Sequence, residues 1–131
     1  MKIMLKEGIK GCIETVATSE KTANSIGSGG LDVFATPMMI SLMEETCFKS
    51  VDSELEAENT TVGIEVNIKH LAATPVGMKV RCESELIKID NRSLTFNVKA
   101  YDEKGLIGEG VHQRFIVNRE KFQKKANEKL M

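Results

Sequence analysis

The longest regular pattern in the chain is an alternation. Val62, Ile64, Val66 and Ile68 interleave with Thr61, Gly63, Glu65, Asn67 and Lys69. A period of two marks a half-buried strand. Three similar runs follow. Met78, Val80, Cys82 and Leu86 share one face, Leu94, Phe96, Val98 and Ala100 share another, and residues 107–117 form the last. The turn signals Asp90-Asn91-Arg92 and Asp102-Glu103-Lys104-Gly105 separate these runs. Links this short favour antiparallel pairing. Residues 9–17 mix β-branched and apolar side chains without a helical period and predict one more strand.

Beyond that first strand the period changes. Residues 18–31 are polar and carry the cluster Gly27-Ser28-Gly29-Gly30, which predicts a mobile loop. Thr36-Pro37 reads as an N-cap followed by proline at the first helical position. Met38, Met39, Ile40, Leu42, Met43, Cys47 and Val51 come next. That set is too apolar all round for a surface helix, so the helix is expected to be covered on most sides. Residues 52–60 are acidic and expected to be exposed. The tail, residues 118–131, has helical propensity. Its basic residues Arg119, Lys121, Lys124, Lys125 and Lys129 read as a solvated face. One buried helix and an antiparallel sheet of about five strands make two packed layers, an α+β domain spanning residues 1–131. The helix should cover one sheet face, leaving the other wet or paired with a second subunit.

Composition narrows the function. The 131 residues are 41% hydrophobic and 28% charged, which suits a globular chain rather than a disordered one. Eighteen Lys and Arg stand against nineteen Asp and Glu, a net charge of −1, with no Trp and one Tyr. A nucleic-acid partner would call for a basic excess and stacking aromatics. The three cysteines, Cys12, Cys47 and Cys82, are odd in number and lack C-x-x-C spacing. They predict neither a disulfide framework nor a metal site, and a reduced, cytoplasmic protein. The opening run breaks its apolar stretch too early for a signal peptide. No segment nears the ~18 apolar residues of a membrane span.

No phosphate-loop, dinucleotide, zinc-protease or nucleophile-elbow signature occurs. Four residues remain of interest. Glu44 is an acid in the apolar run Leu42-Met43-Glu44. Glu45 lies about 100° further round, so the two cannot point the same way. One is expected to meet solvent, and the other either lies at a polar edge or is buried with a partner. His70 shares parity with Val62 to Ile68, which aims it at the face the helix covers. It sits near the strand end marked by Ala72-Ala73-Thr74-Pro75. Such a histidine is either structural or, paired with a carboxylate, able to activate a nucleophile. Thr36 is explained fully as an N-cap, yet the same helix start offers N–H donors to an oxyanion. Thr36 and Glu44 stand ~12 Å apart along a helix axis, so the substrate spans them, the helix starts irregularly, or a second subunit supplies one. His112 has the opposite parity to Val111, Phe115 and Val117, which points it to solvent or a dimer contact.

Taken in order, several pieces resemble one family. They are Val33-Phe34-Ala35-Thr36, Leu42-Met43-Glu44 with Cys47, and Gly63. They continue with His70 followed by Ala72-Ala73-Thr74-Pro75 and Gly77, then Gly108, Gly110, His112, Arg114 and Glu120-Lys121-Phe122. From about residue 31 to 122 the chain is similar to hotdog-fold thioesterases of the fluoroacetyl-CoA thioesterase family. The resemblance implies a hotdog fold, a curled sheet wrapped around one central helix. It implies hydrolysis of a short acyl-CoA by a catalytic set that falls on Thr36, Glu44 and His70, with Glu44 as nucleophile or general base. It also implies Gly63 and Arg114 at the substrate, no cofactor beyond the CoA ester itself, and no metal. Acyl-CoA sites would lie at the interface of a homodimer, or of a tetramer built from it. One departure stands out. The fluoroacetyl enzyme has aromatic and bulky residues ahead of its helix, where this chain has Ser28, Gly29 and Gly30, which argues against a tight cover over a very small acyl group. The CoA phosphates should meet basic residues, with Lys69, Arg81 and Arg92 as candidates. The alternative reading is a non-catalytic acyl-CoA-binding or sensing dimer on the same fold. A hydratase-like hotdog enzyme ranks lower, because no Asp-x-[Asn/Ser]-Pro-[Leu/Ile]-His pattern is present.

Overall fold

The computed structural model describes residues 5–131. Residues 1–4, part of the opening run weighed above as a leader, lie outside the described residues. The elements run β1 (Lys10–Val16), a 3-10 turn (Ser19–Lys21), α1 (Ala23–Ile26), α2 (Thr36–Asp52), β2 (Asn59–His70), β3 (Lys79–Asp90), β4 (Ser93–Asp102), β5 (Gly105–Asn118), α3 (Arg119–Asn127) and a 3-10 turn (Glu128–Leu130). The strands form one antiparallel sheet in the order β1-β3-β4-β5-β2. β2 is therefore an edge strand, and α2 packs across all five strands. This is the expected α+β architecture, a hotdog fold.

Alternation builds the core as the sequence predicts. Val80, Cys82 and Leu86 from β3 meet Leu94, Phe96, Val98 and Ala100 from β4 on the inner face, all essentially buried. Glu83, Glu85, Asn97 and Lys99 take the outer face. Asn91 adopts a left-handed φ of 57° in the β3–β4 turn, a conformation Asn tolerates better than most residues. On α2 the buried residues are Met39, Leu42, Met43, Thr46, Cys47 and Val51, the three-and-four spacing of one helical face. Glu45 bonds to Lys49 at 2.7 Å on the wet side.

Three expectations need correction. The segment 18–31 is not a plain loop. It contains the 3-10 turn and α1, held by buried Thr22, whose hydroxyl accepts from the Ser25 N–H and donates to the Ser19 carbonyl. Residues 52–60 are not exposed throughout, because Leu55 drops into the core. The period of β2 is also interrupted. Its ladder with β5 shifts between Gly63 and Glu65, leaving Ile64 as an extra residue. A bulge of this kind reverses the parity of everything beyond it. Before it Thr61 and Gly63 face the helix, opposite Ile116 and Arg114; after it Val66, Ile68 and His70 do, opposite His112, Gly110 and Gly108. Val62 therefore points outward, with Phe115, and does not share a face with His70.

Phe96 is fully buried and its ring lies 6.5 Å from that of His112. Truncating it leaves a cavity between β4, β5 and α2. Phe96→Ala is expected to lower stability by about 3–5 kcal/mol, read as a shift in the urea midpoint at unchanged slope.

Candidate active site

The start of α2 differs from the expected cap. Ala35 is the N-cap, with extended φ and ψ of −74° and 141°, and no side chain caps the helix. Thr36 is the first helical residue and Pro37 the second. The Thr36 hydroxyl is thus not spent on the helix end. It meets His70 Nδ1 at 2.7 Å, across 34 residues of sequence. Local backbone bonds hold the two sides together. Phe34 N–H donates to the Thr74 carbonyl at 2.8 Å, Ala35 N–H to Lys21 at 3.0 Å, and Leu71 N–H to Ile107 at 2.7 Å. The N–H of Thr36, in the first turn, has no partner within the helix, so a donor and the positive dipole end lie beside the hydroxyl.

His70 Nε2 is buried without a hydrogen-bond partner. Burial pushes the His70 pKa below the usual 6.5, against a smaller opposing effect of the Ala72 backbone. The imidazole is neutral at pH 7 and able to accept a proton. The pair opens into a cleft of 770 Å³, lined otherwise by mostly apolar side chains such as Val33, Phe34 and Leu71.

Glu44 is elsewhere in the chain's own geometry. It lines a separate depression of 530 Å³ with Ser41, Phe48, Thr61, Gly63 and Arg114. β2 runs back along α2, so His70 lies beside Thr36 at one end and Gly63 beside Glu44 further on. A Cβ built on Gly63 would stand 3.2 Å from His112 Cε1, 3.3 Å from Glu44 Oε2 and 3.4 Å from Arg114 Nη1. The missing side chain leaves room for three functional groups to converge. Within one chain the structure therefore brings Thr36 and His70 together, and Glu44, Gly63 and Arg114 together, but not the two sets with each other.

Arg114 is 7% exposed. Its Nε donates to Thr61 Oγ1 at 2.7 Å, Nη2 to the Thr61 carbonyl at 2.9 Å, and Nη1 to His112 Nε2 at 3.1 Å. Phe48 lies beneath the guanidinium at 5.6 Å. Burial lowers the Arg114 pKa, opposed by Cys47, Glu44 and Asp52. The expectation that His112 faces solvent or a dimer contact is overturned, since it is fully buried. Its Nδ1 lies 2.8 Å from the Glu65 carbonyl. A guanidinium can only donate, so Nε2 must accept and Nδ1 must carry the proton to Glu65. At this point β5 reverses the usual polarity of its two faces. The polar His112 and Arg114 lie on the inner face and Phe115 on the outer one. The alternation of His112, Arg114 and Ile116, opposite Phe96 and Leu94, was the available signal.

Other candidates are used up. Burial pushes the thiols of Cys47 and Cys82 up to about 12 and about 11, too high for a nucleophile. Arg81 is held by Glu83 at 3.0 Å and stacked on Tyr101 at 4.7 Å.

The His112 pKa is lowered by burial first and by Arg114 second, against pulls from the Glu65 carbonyl and Glu44. His70 is lowered too. Both groups favour the neutral form in the folded state. Their stabilisation is complete above the ordinary 6.5 of free histidine and is lost as pH falls through the lower folded values. The urea midpoint should fall as the pH drops below about 6.5. His112→Gln, which keeps one donor and one acceptor, should shrink that fall.

Comparison with known proteins follows the same lines. A family model for the fluoroacetyl-CoA-specific thioesterase FlK matches residues 17–120. The fluoroacetyl-CoA thioesterase of Streptantibioticus cattleyicolor is 37% identical over 98 residues, which are 75% of this chain and 70% of that protein. The solved structure of FlK superposes with a TM-score of 0.89 at 30% identity, covering 95% of this chain and 97% of the other. A variant of FlK has been solved with fluoroacetate and CoA. A thioesterase-superfamily member from Thermus thermophilus gives a TM-score of 0.86 at 31% identity, covering 94% and 91%. With the alternating sheet and the helix packed across it already in place, these matches settle the family: the chain belongs to the family whose model is the fluoroacetyl-CoA-specific thioesterase FlK, and it is a thioester hydrolase of the hotdog fold.

Proposed function

We propose that the protein hydrolyses an acyl-CoA to the free acid and CoA, with Thr36, Glu44 and His70 as catalytic residues and Gly63 and Arg114 supporting the substrate. The carrying observation is the 2.7 Å contact between the Thr36 hydroxyl and His70 at the head of a buried helix. The Thr36 N–H polarises the thioester carbonyl, and the Thr36 hydroxyl orients the imidazole. Glu44 takes a proton from water, and the water oxygen adds to the carbonyl carbon. As the tetrahedral intermediate collapses, the C–S bond breaks. The departing sulfur takes one proton through His70, which is replenished by the proton Glu44 removed. Direct attack by Glu44 instead expels CoA as its thiolate and gives a mixed anhydride; water then opens the anhydride, and the proton released reaches the thiolate through His70. Label in the Glu44 carboxylate after a single turnover in isotopically labelled water would show direct attack, with water opening the anhydride at the Glu44 carbonyl.

The separation of Glu44 from His70 within one chain supports a site shared between two copies. β2 is an edge strand, and Ile64 and Val66 on it are 53% and 44% exposed. An unpaired apolar edge is a template for another strand. Antiparallel pairing of two β2 strands about a two-fold axis at Asn67 keeps the helix-facing sides together, Val66 against Ile68, and with Ile64 as the extra residue it sets Gly63 of one against His70 of the other. Glu44 of one protomer then faces the Thr36–His70 pair of its partner.

Glu44→Gln and His70→Ala are each expected to cut turnover roughly 100-fold or more with the fold intact, measured by thiol release. Mixed in equal amounts and allowed to exchange, the two dead variants should recover roughly a quarter of wild-type activity, because half the dimers hold one complete site of two. No recovery would place all three groups in one chain's site. Ile64→Lys should give a monomer by sedimentation and at least a roughly tenfold loss of activity. A fully active monomer would remove the shared site.

A further inference from the structure

We propose that the acyl group this site takes is an uncharged aliphatic chain of medium length rather than a two-carbon group. The inference rests on the thioesterase reading and deepens it. The cleft beside Thr36 and His70 measures 770 Å³, a size that ordinarily receives a ligand of many heavy atoms. Its lining carries no acidic, lysine or arginine side chain. The polar side chains there are Ser28, Thr36 and His70, and the last two are already joined to each other. Along these walls of one protomer a carboxylated acyl group would find no counter-charge. The walls are aliphatic and aromatic instead: Val33 and Phe34 on the approach to α2, Ile40 on the helix, and Leu71 at the strand end. Leu71 is 51% exposed, apolar surface that a longer chain would cover.

The far wall explains why the room is left free. The turn through Gly27, Ser28, Gly29 and Gly30 contributes only Ser28 to the lining. Gly27 has a φ of +79°, which disfavours any side chain there. A Cβ added at Gly30 would meet nothing within 4 Å. Apart from the small Ser28, no side chain from this turn lines the cleft. With the thioester carbonyl at the Thr36 N–H, the acyl chain runs from the Thr36–His70 pair toward this turn. Each methylene buried on that path should raise kcat/KM roughly fourfold until the wall is reached.

The test is a thiol-release series over acetyl-, butyryl-, hexanoyl- and octanoyl-CoA with the full chain. It is run beside calorimetric binding of the matching non-hydrolysable S-alkyl-CoA thioethers. The expected result is a kcat/KM maximum beyond acetyl and tighter binding of the longer thioethers. Ser28→Phe should lower the hexanoyl-to-acetyl ratio at least roughly tenfold by filling the cleft, and Ala73→Leu does the same from the opposite wall should the first variant fold poorly. An optimum at acetyl-CoA, or a ratio that neither variant moves, overturns the inference while leaving hydrolysis in place. Length-dependent thioether binding without turnover of any ester overturns the catalytic reading and leaves the acyl preference standing. Flat binding across the series, without turnover, overturns both.

Discussion

Between Gly63 and Glu65 strand β2 carries one residue more than its partner β5, and most of the site depends on that residue. Gly63 and His70 are seven positions apart, so a regular strand would put them on opposite faces. The bulge at Ile64 cancels the odd step and turns both toward α2. It also brings the Glu65 carbonyl within 2.8 Å of His112 Nδ1, which sets the tautomer and lets Nε2 receive Arg114. A single extra residue thus couples the placement of the exposed edge, the buried arginine and the histidine at the strand end. Bulges often lie next to functional sites for this reason, since they re-aim side chains without ending the strand.

The two clusters along α2 have different physical characters. Around Gly63 the groups are buried and mutually satisfied: Arg114 is tied to Thr61 and His112, and His112 to Glu65. A buried guanidinium is costly unless its donors are met, and here each of its three nitrogens makes a bond. That network is rigid and suited to holding shape. The Thr36–His70 cluster is the opposite. It has an unpartnered Nε2, a helix-start N–H with no partner within the helix, and an open apolar cleft. Unsatisfied polarity of that kind is poor for stability and good for chemistry, because a reacting group can complete it. One cluster has its arginine and buried histidine fully bonded, and the other leaves polar groups unmet beside an open cleft.

The alternating runs in β3 and β4 and the turn at Asn91 are legible in the sequence because they follow from short-range patterns, whereas α2, apolar enough to predict cover on most sides, buries one three-and-four face and leaves Ser41, Glu45 and Lys49 exposed. Burial of one face against another is the same physics whatever the partner strand is, so residues such as Leu94 and Phe96 declare themselves. The same holds for Glu44 and His70, which stood out as polar groups in apolar settings, and for the resemblance carried by the ordered motifs. Periodicity misled only where the chain departs from it. The bulge puts Val62 on the other face, the reversed polarity of β5 turns His112 inward, and the helix starts one residue early at Ala35, which leaves the end without a side-chain cap and the Thr36 hydroxyl on His70.

What the chain determined by itself was the set of elements, the layer each would join and the residue types able to act. Their meetings were decided in three dimensions. The Thr36–His70 contact spans 34 residues and the Arg114–Thr61 bonds span 53. No local preference encodes such pairs, because they arise from strand order, register and the angle at which the helix crosses the sheet. Whether a hydroxyl caps a helix or turns to an imidazole depends on which acceptor the packed fold brings within reach.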